Sequence, residues 1–398
     1  MQAVSPPYWI LFFGTSLAQA SEIVFSSGLL SLANELGLST QVAQLCSAFY
    51  FLGITFGILL FGRMSDLFGR RKSLLVGIGI YSTTSFIIIF INNIYLLIFC
   101  RFFQALGVSS CSVISQAVAR DCYRGRELAK IYSMIATIMC FTPTFASTIG
   151  GFIVEHSSWR YNVGLLMTLG TTLFLCYYRF LPETSGYSEL DKTTSFLTIA
   201  KKMISDKLVI LYALMSGCSI GMMASFIVEF PITFITHLGM TPSSYGLLNI
   251  CISIAMFCGT LINLYLNKSK YSIKKIIFFG VLVSFIGGAN LFIVSHLNIY
   301  INFANNILIT LMFLSRMLQG IGHIIIMPYI LSAALQNYQR VIGSASAIFN
   351  GIYSFVVALI TFLTSYLHDD KHIYGFATLI FAVACINLVL FLRLKESI

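Results

Sequence analysis

Charge is what this chain has least of: acidic and basic residues together fill 10% of its 398 positions, whereas an ordinary soluble domain approaches a quarter. That scarcity excludes a soluble globular protein. It also excludes a nucleic-acid partner, despite a formal net charge of +10, because a basic binding face needs a polar domain to carry it. Catalytic sequence patterns are missing as well. Without a P-loop, HExxH or GxSxG pattern, neither an enzyme nor an ATP-driven pump is expected. The ten cysteines show no CxxC spacing and fall mostly inside apolar runs, as small buried residues do and as disulfide partners or metal ligands do not. No metal or other cofactor is expected. Residues 1–9 hold no Lys or Arg, so the first apolar stretch reads as a retained span and not as a secretory signal.

What the chain has in excess is apolar side chain, 58% of all residues. A bilayer core of about 30 Å takes roughly 20 helical residues. Twelve stretches reach that length, at 8–30, 42–62, 73–92, 94–117, 131–153, 160–181, 208–230, 243–266, 274–296, 306–330, 341–366 and 373–392. The expected fold is an all-α integral membrane protein, twelve transmembrane helices in two pseudo-symmetric six-helix bundles. The longest polar interval supplies the boundary: residues 1–181 form the first bundle, 182–207 a cytoplasmic linker and 208–398 the second bundle. Alternating sides along this map gathers 20 of the 24 basic residues on one face. By the positive-inside rule that face is cytoplasmic, both termini lie there, and the expected location is a bacterial inner membrane. The net charge is then chiefly a topological mark.

An internal repeat supports the two halves. Arg101-Phe-Phe-Gln104-Ala-Leu-Gly107 in the fourth stretch returns as Arg316-Met-Leu-Gln319-Gly-Ile-Gly322 in the tenth, 215 residues on. Glu22 in the first stretch and Glu229 in the seventh lie 207 apart. Charges at bilayer depth are rare and usually face a bundle interior or a watery cavity. Read through the repeat, the four become two acid and base pairs, Glu22 with Arg101 and Glu229 with Arg316. At about 1.5 Å per residue Glu22 and Arg101 lie roughly 12 and 10 Å from the outer ends of their spans, and Arg316 roughly 15 Å. Glu229, at roughly 2–10 Å, matches its partner more loosely. Gln104 and Gln319, one turn from their arginines, are expected to hold a guanidinium or bind substrate. His323, two turns from Arg316, is either a proton relay or a hydrogen-bonded cavity residue. Tyr50 is one of several aromatic candidates for a pocket wall.

Between the second and third stretches stands Gly62-Arg-Met-Ser-Asp66-Leu-Phe-Gly69-Arg70-Arg71-Lys72. Its Gly, Asp, Gly, Arg order resembles the GxxxDxxGRR/K pattern of the major facilitator superfamily, in the matching loop. Two glycines suit a tight turn, Asp66 can bond helix-end amides or basic neighbours, and the arginines suit an anionic leaflet. Further on, Arg101-Phe-Phe-Gln104-Ala-Leu-Gly107, Gln116-Ala-Val-Ala-Arg120-Asp121, Pro143 with Gly150-Gly151, Trp159-Arg160 and Leu181-Pro182-Glu183-Thr184 resemble patterns of the bicyclomycin and chloramphenicol resistance (Bcr/CflA) family of drug and proton antiporters. Glu22 stands where that family usually carries an Asp followed by prolines, and Ser26, Ser27 and Gly28 occupy the proline region.

The resemblance implies a proton-coupled secondary transporter whose first, fourth, seventh and tenth spans line a central cavity. The four buried charges fall on those spans. Glu22 and Arg101 are the expected proton-coupling pair; Glu229, Arg316, Gln104, Gln319 and His323 are expected to face substrate. Gly62, Asp66, Gly69, Arg70 and Arg71, with Pro143, Gly150 and Gly151 of the fifth span, are expected to serve conformational gating. The implied task is efflux of amphipathic or cationic small molecules by proton antiport. The alternative is proton-symport import of a nutrient, amino acid or siderophore. The partners are then a small-molecule substrate, protons and the lipid bilayer, with the chain acting as a monomer.

Overall fold

The structure, a computed structural model, describes residues 6–184, 196–268, 271–301, 304–369 and 372–397. Among them the secondary structure is helical throughout. The helices are α1 (Tyr8–Ser26), α2 (Leu29–Leu36), α3 (Thr40–Phe68), α4 (Arg70–Ile89), α5 (Ile94–Cys122), α6 (Gly125–His156), α7 (Trp159–Phe180), α8 (Phe196–Ser205), α9 (Lys207–Thr236), α10 (Pro242–Lys268), α11 (Ile273–Ile301), α12 (Asn305–Leu335), α13 (Ile342–Tyr366) and α14 (Tyr374–Ser397). Eleven of these, α3–α7 and α9–α14, are long and apolar enough to cross a membrane. The remaining expected span is α1, which carries Thr15, Ser16, Ser21 and Glu22 in its buried face. It can bear them because α5, α6 and α7 pack around it.

Tight connections are set by local chemistry. The side chains of Ser39, Asn93, Ser158 and Asp206 accept hydrogen bonds from the first free amides of α3, α5, α7 and α9, the usual answer to unpaired donors at a helix start. The first span departs from the 8–30 expectation. It breaks after Ser26, where Gly28 approaches Trp159 so closely that a Cβ would lie 2.9 Å from the Trp159 Cβ. The chain then restarts as α2. The linker is also more ordered than a polar interval suggests, since α8 buries Ile199 and Met203 against α9 and α13. Residues Glu189, Asp191, Lys192, Lys270 and Lys371 lie outside the described residues.

One core cluster draws on α1–α7 and two others on α8–α14. They interlock: Val228 and Ile232 of α9 sit in the first cluster, and Cys140 of α6 in the third. The main cross-half contacts are α3 on α13 and α6 on α10. The repeat is visible in packing as well as sequence. A Cβ on Gly107 would meet the Gly77 carbonyl oxygen at 2.5 Å, and one on Gly322 the Gly280 carbonyl oxygen at 2.6 Å, so α5 on α4 is copied as α12 on α11.

Candidate functional site

The expected pair of the first half forms. An Arg101 Nη2 hydrogen donates to Glu22 Oε2, and both side chains are buried. Arg101 Nη1 donates to Gln104 Oε1 at 2.5 Å, and Gln104 Nε2 donates to Ser85 Oγ at 2.7 Å. The guanidinium lies over the Phe25 ring at 3.8 Å and the Tyr50 ring at 4.2 Å, a cation–π cage in a desolvated place. Tyr50 is itself anchored, donating to the Ala18 carbonyl at 2.7 Å. Gln104 therefore holds the guanidinium as expected. The cage is not saturated: Ser47 faces the Glu22 carboxyl, while Arg101 Nε has no hydrogen-bond partner among the described residues.

The second expected pair does not form. Glu229 turns away from Arg316 and binds His368, whose Nδ1 is 2.9 Å from both carboxylate oxygens. Gln44 of α3 donates to Glu229 Oε2 at 2.8 Å, and Thr233 donates to Oε1 at 3.3 Å. The reason is helical phase. The ring next to Arg316 is Phe230, the counterpart of Phe25, and aligning those two places Ile227, not Glu229, opposite Glu22. Two further residues rotate Glu229 about 200° around the helix, toward α3. Thus the 207-residue offset misled.

Among the described residues Arg316 keeps a single hydrogen bond, Nη1 to the Tyr245 hydroxyl at 3.0 Å, with the Phe230 ring at 5.7 Å. Its Nε finds no partner among the described residues, and the side chain is buried. Gln319, expected beside it, donates instead to the Ser284 carbonyl at 2.8 Å. His323 is half-buried, its Nδ1 3.1 Å from Ser219 Oγ of α9.

His368, Gln44 and Thr40 escaped the sequence reading. A lone histidine after a helix and two polar residues near a helix start carry no pattern; only the fold brings them together. Thr40 Oγ1 lies 2.9 Å from His368 Nε2, so α3 of the first half grips both Glu229 and His368 of the second. Nearby, Ser26 donates to the Ile227 carbonyl at 2.8 Å and Gln41 to the Tyr366 carbonyl at 2.9 Å. Glu155 accepts from the Ser243 amide at 2.9 Å. These bonds close the face opposite the basic one.

On the basic face, three separated motifs converge. Arg70 binds Asp66 at 2.5 Å and Asp121 at 2.9 Å. Glu183 Oε1 and Oε2 accept from the Arg70 and Arg71 amides at 2.8 and 3.2 Å, a carboxylate on the positive end of α4. Gly69 makes this possible with φ +97° and no Cβ, which would lie 2.5 Å from Glu183 Oε2. Asp66 therefore takes the basic neighbour and leaves the amides to Glu183. Gly62 is no turn residue; it lies inside α3, where a Cβ would stand 2.9 Å from Ala347 Cβ of the other half. Arg71 donates to the Tyr178 carbonyl at 2.6 Å.

In α6, Pro143 sits inside the helix. The next residue, Thr144, meets the Asn249 carbonyl at 2.9 Å and Ser253 Oγ at 2.6 Å of α10. Gly150 faces α1 and Gly151 faces Pro242 of α10. The two glycines thus serve different neighbours, one within its half and one across.

Residues 11–359 match the family model described as Major Facilitator Superfamily. An uncharacterized transporter of Rickettsia bellii is 37% identical over 365 residues, covering 92% of this chain and 90% of that one. One from Rickettsia felis is 36% identical over 390 residues, covering 97% and 95%. More distantly, the multidrug transporter MdfA of Yersinia pestis is 23% identical over 275 residues, covering 69% and 67%. Among solved structures, a D-xylose-proton symporter superposes with a TM-score of 0.74 at 17% identity, covering 97% of this chain and 95% of that one; at that identity the likeness is one of fold.

Proposed function

The chain belongs to the Major Facilitator Superfamily and is a membrane transporter of small molecules, not an enzyme; from that premise we propose that it couples transport to protons through Glu22 and Arg101. The observation that carries this reading is the buried, incompletely satisfied pair between α1 and α5. An ion pair removed from water is held only while both partners keep their charge. Protonation of Glu22 releases Arg101 from α1, and loss of that proton restores the carboxylate and the grip. Gln104, Phe25 and Tyr50 keep the guanidinium in register through the exchange.

The transported class is small and amphipathic, and the direction is efflux by proton antiport, supported by the loop and span motifs and by the relative named a multidrug transporter. A free carboxylate at Glu229 would favour a cationic substrate. Both of its oxygens are already engaged by His368, Gln44 and Thr233, so it is not free to select a cation. The bundles 1–181 and 208–398 rock about the α3–α13 and α6–α10 contacts, where Gly62 and Gly151 allow close approach and Pro143 interrupts the α6 hydrogen-bond ladder. The basic face lies in the cytoplasm of a bacterial inner membrane.

Proteoliposomes with an imposed pH gradient test the coupling. Glu22→Gln is expected to abolish gradient-driven accumulation while leaving downhill exchange in place. Unchanged pH dependence in that variant overturns the proposal, and accumulation driven by inward protons establishes symport in place of antiport.

A further inference from the structure

The two halves repeat one another, so each arginine is a control for the other. Arg101 has a carboxylate, a glutamine and two stacked rings. Arg316 has lost nearly all of them. The place of Glu22 is taken by Ile227, Gln319 bonds the Ser284 carbonyl, and the ring of Phe230 stands off at 5.7 Å. A tyrosine is still present, Tyr245 of α10, but it stands at a different position from Tyr50 of α3 and presents its hydroxyl instead of its face. Arg316 is 2% exposed, makes no ion pair among the described residues and leaves Nε unpartnered. A buried guanidinium without an anion is strongly unfavourable unless an anion arrives.

We propose that Arg316 and Tyr245 bind the carboxylate of an amphipathic organic acid carried by this protein. The inference rests on the transporter reading and names the substrate class. A guanidinium offers parallel donors that match a carboxylate in a bidentate fork, and the tyrosine hydroxyl adds a further donor. Around it stand Phe230, Phe234 and Phe313 of α9 and α12, with Phe234 and Phe313 rings 5.1 Å apart. These rings are packed on one another in the core of the second half, and such surroundings suit an aryl or alkyl body and not a hydrated inorganic ion. The site adjoins the moving interface. Beside Tyr245, Gly246 packs against α6, where a Cβ would lie 2.7 Å from the Ser147 carbonyl oxygen. An anion bound at Arg316 would therefore be felt where the halves meet.

Binding of radiolabelled 2-naphthoate to the full-length chain in lipid nanodiscs, without a pH gradient, tests this separately from coupling. Competition by unlabelled naphthoate and decanoate is expected, with 2-naphthamide, 2-naphthylmethylamine, chloride and phosphate at least tenfold weaker. Arg316→Met is expected to lose naphthoate binding at least tenfold without lowering the melting temperature, because it removes an uncompensated charge. Arg316→Lys is expected to recover part of the affinity. Equal competition by the amide or the amine, by chloride or by phosphate overturns the proposal, as does a melting loss in Arg316→Met with binding unchanged. Naphthoate binding without gradient-driven uptake leaves this inference standing and removes proton coupling. Proton-driven transport of amines without naphthoate binding does the reverse.

Discussion

A single residue can belong to the sequence pattern and still be turned elsewhere by the fold. Arg101 and Gln104, one turn apart on a helix, share a face by periodicity alone, and their contact was legible. Glu229 was legible as a buried acid but not in its partner, because two residues of phase decide which neighbour a helical side chain meets. Arg160 shows the same dependence at the first turn of α7. Its guanidinium reaches Glu35 of α2 at 2.8 Å, the Ile89 and Ile91 carbonyls and Asn92. Desolvation raises the Glu35 pKa, but hydrogen bonds from Arg160 and Ser158 outweigh it and the carboxyl sits below the usual carboxylate range. A depressed folded pKa gives stability that is present above the unfolded value, about 4.3, and lost as pH falls through the folded value. Glu35→Gln is therefore expected to lower the melting temperature at pH 7 and to melt like the parent once both are well below pH 4. Since Glu35 is partly exposed, the effect is small, about 0.2–1 kcal/mol, and shrinks with salt. A difference that persists in acid would contradict the assignment.

Helices report the next scale, and here the glycines separate. Pro143, Gly150 and Gly151 were all legible as a bent, closely packed helix, yet sequence could not say against what each packs. A Cβ on Gly150 would lie 3.1 Å from the Ser27 hydroxyl and from the Val24 backbone of α1, a contact that needs a shift of only a few tenths of an ångström. A Cβ on Gly151 would lie 2.4 Å from the Pro242 carbonyl oxygen, which is backbone and cannot step aside. Overpacking costs about 1–3 kcal/mol where relaxation is blocked. Gly151→Ala is accordingly expected to push α6 from α10 and weaken the closed arrangement by that amount, while Gly150→Ala stays within about 1 kcal/mol. Melting curves of the two variants in one detergent decide it, and equal losses would mean that the cross-half contact bears no special load. The break between α1 and α2 belongs here too: Gly28 was visible in sequence, but the Trp159 that demands it lies 131 residues away.

For the whole molecule, closure is distributed unevenly between the faces. The hydrogen bonds from Gln44 to Glu229, Thr40 to His368, Gln41 to Tyr366 and Ser26 to Ile227 gather at the face opposite the basic one. A transporter must break such a latch once per cycle, so each bond biases the population of the two arrangements by its own free energy. A hydrogen bond to a charged group contributes about 1.5–3 kcal/mol, or roughly 10–100-fold in an equilibrium. Gln44→Ala leaves the Glu229–His368 pair in the second half and removes the bond from α3 to its carboxylate, with Thr40 still on His368. It is expected to raise the open population about tenfold. Val228, fully buried in the core shared with the first half, reports that opening when replaced by cysteine in a background where the exposed Cys258 is serine. A membrane-impermeant maleimide should then label Val228→Cys about tenfold faster in the Gln44→Ala chain. Equal labelling rates would mean that the latch is ornamental and that the apolar contact of α9 with the first half closes this face alone.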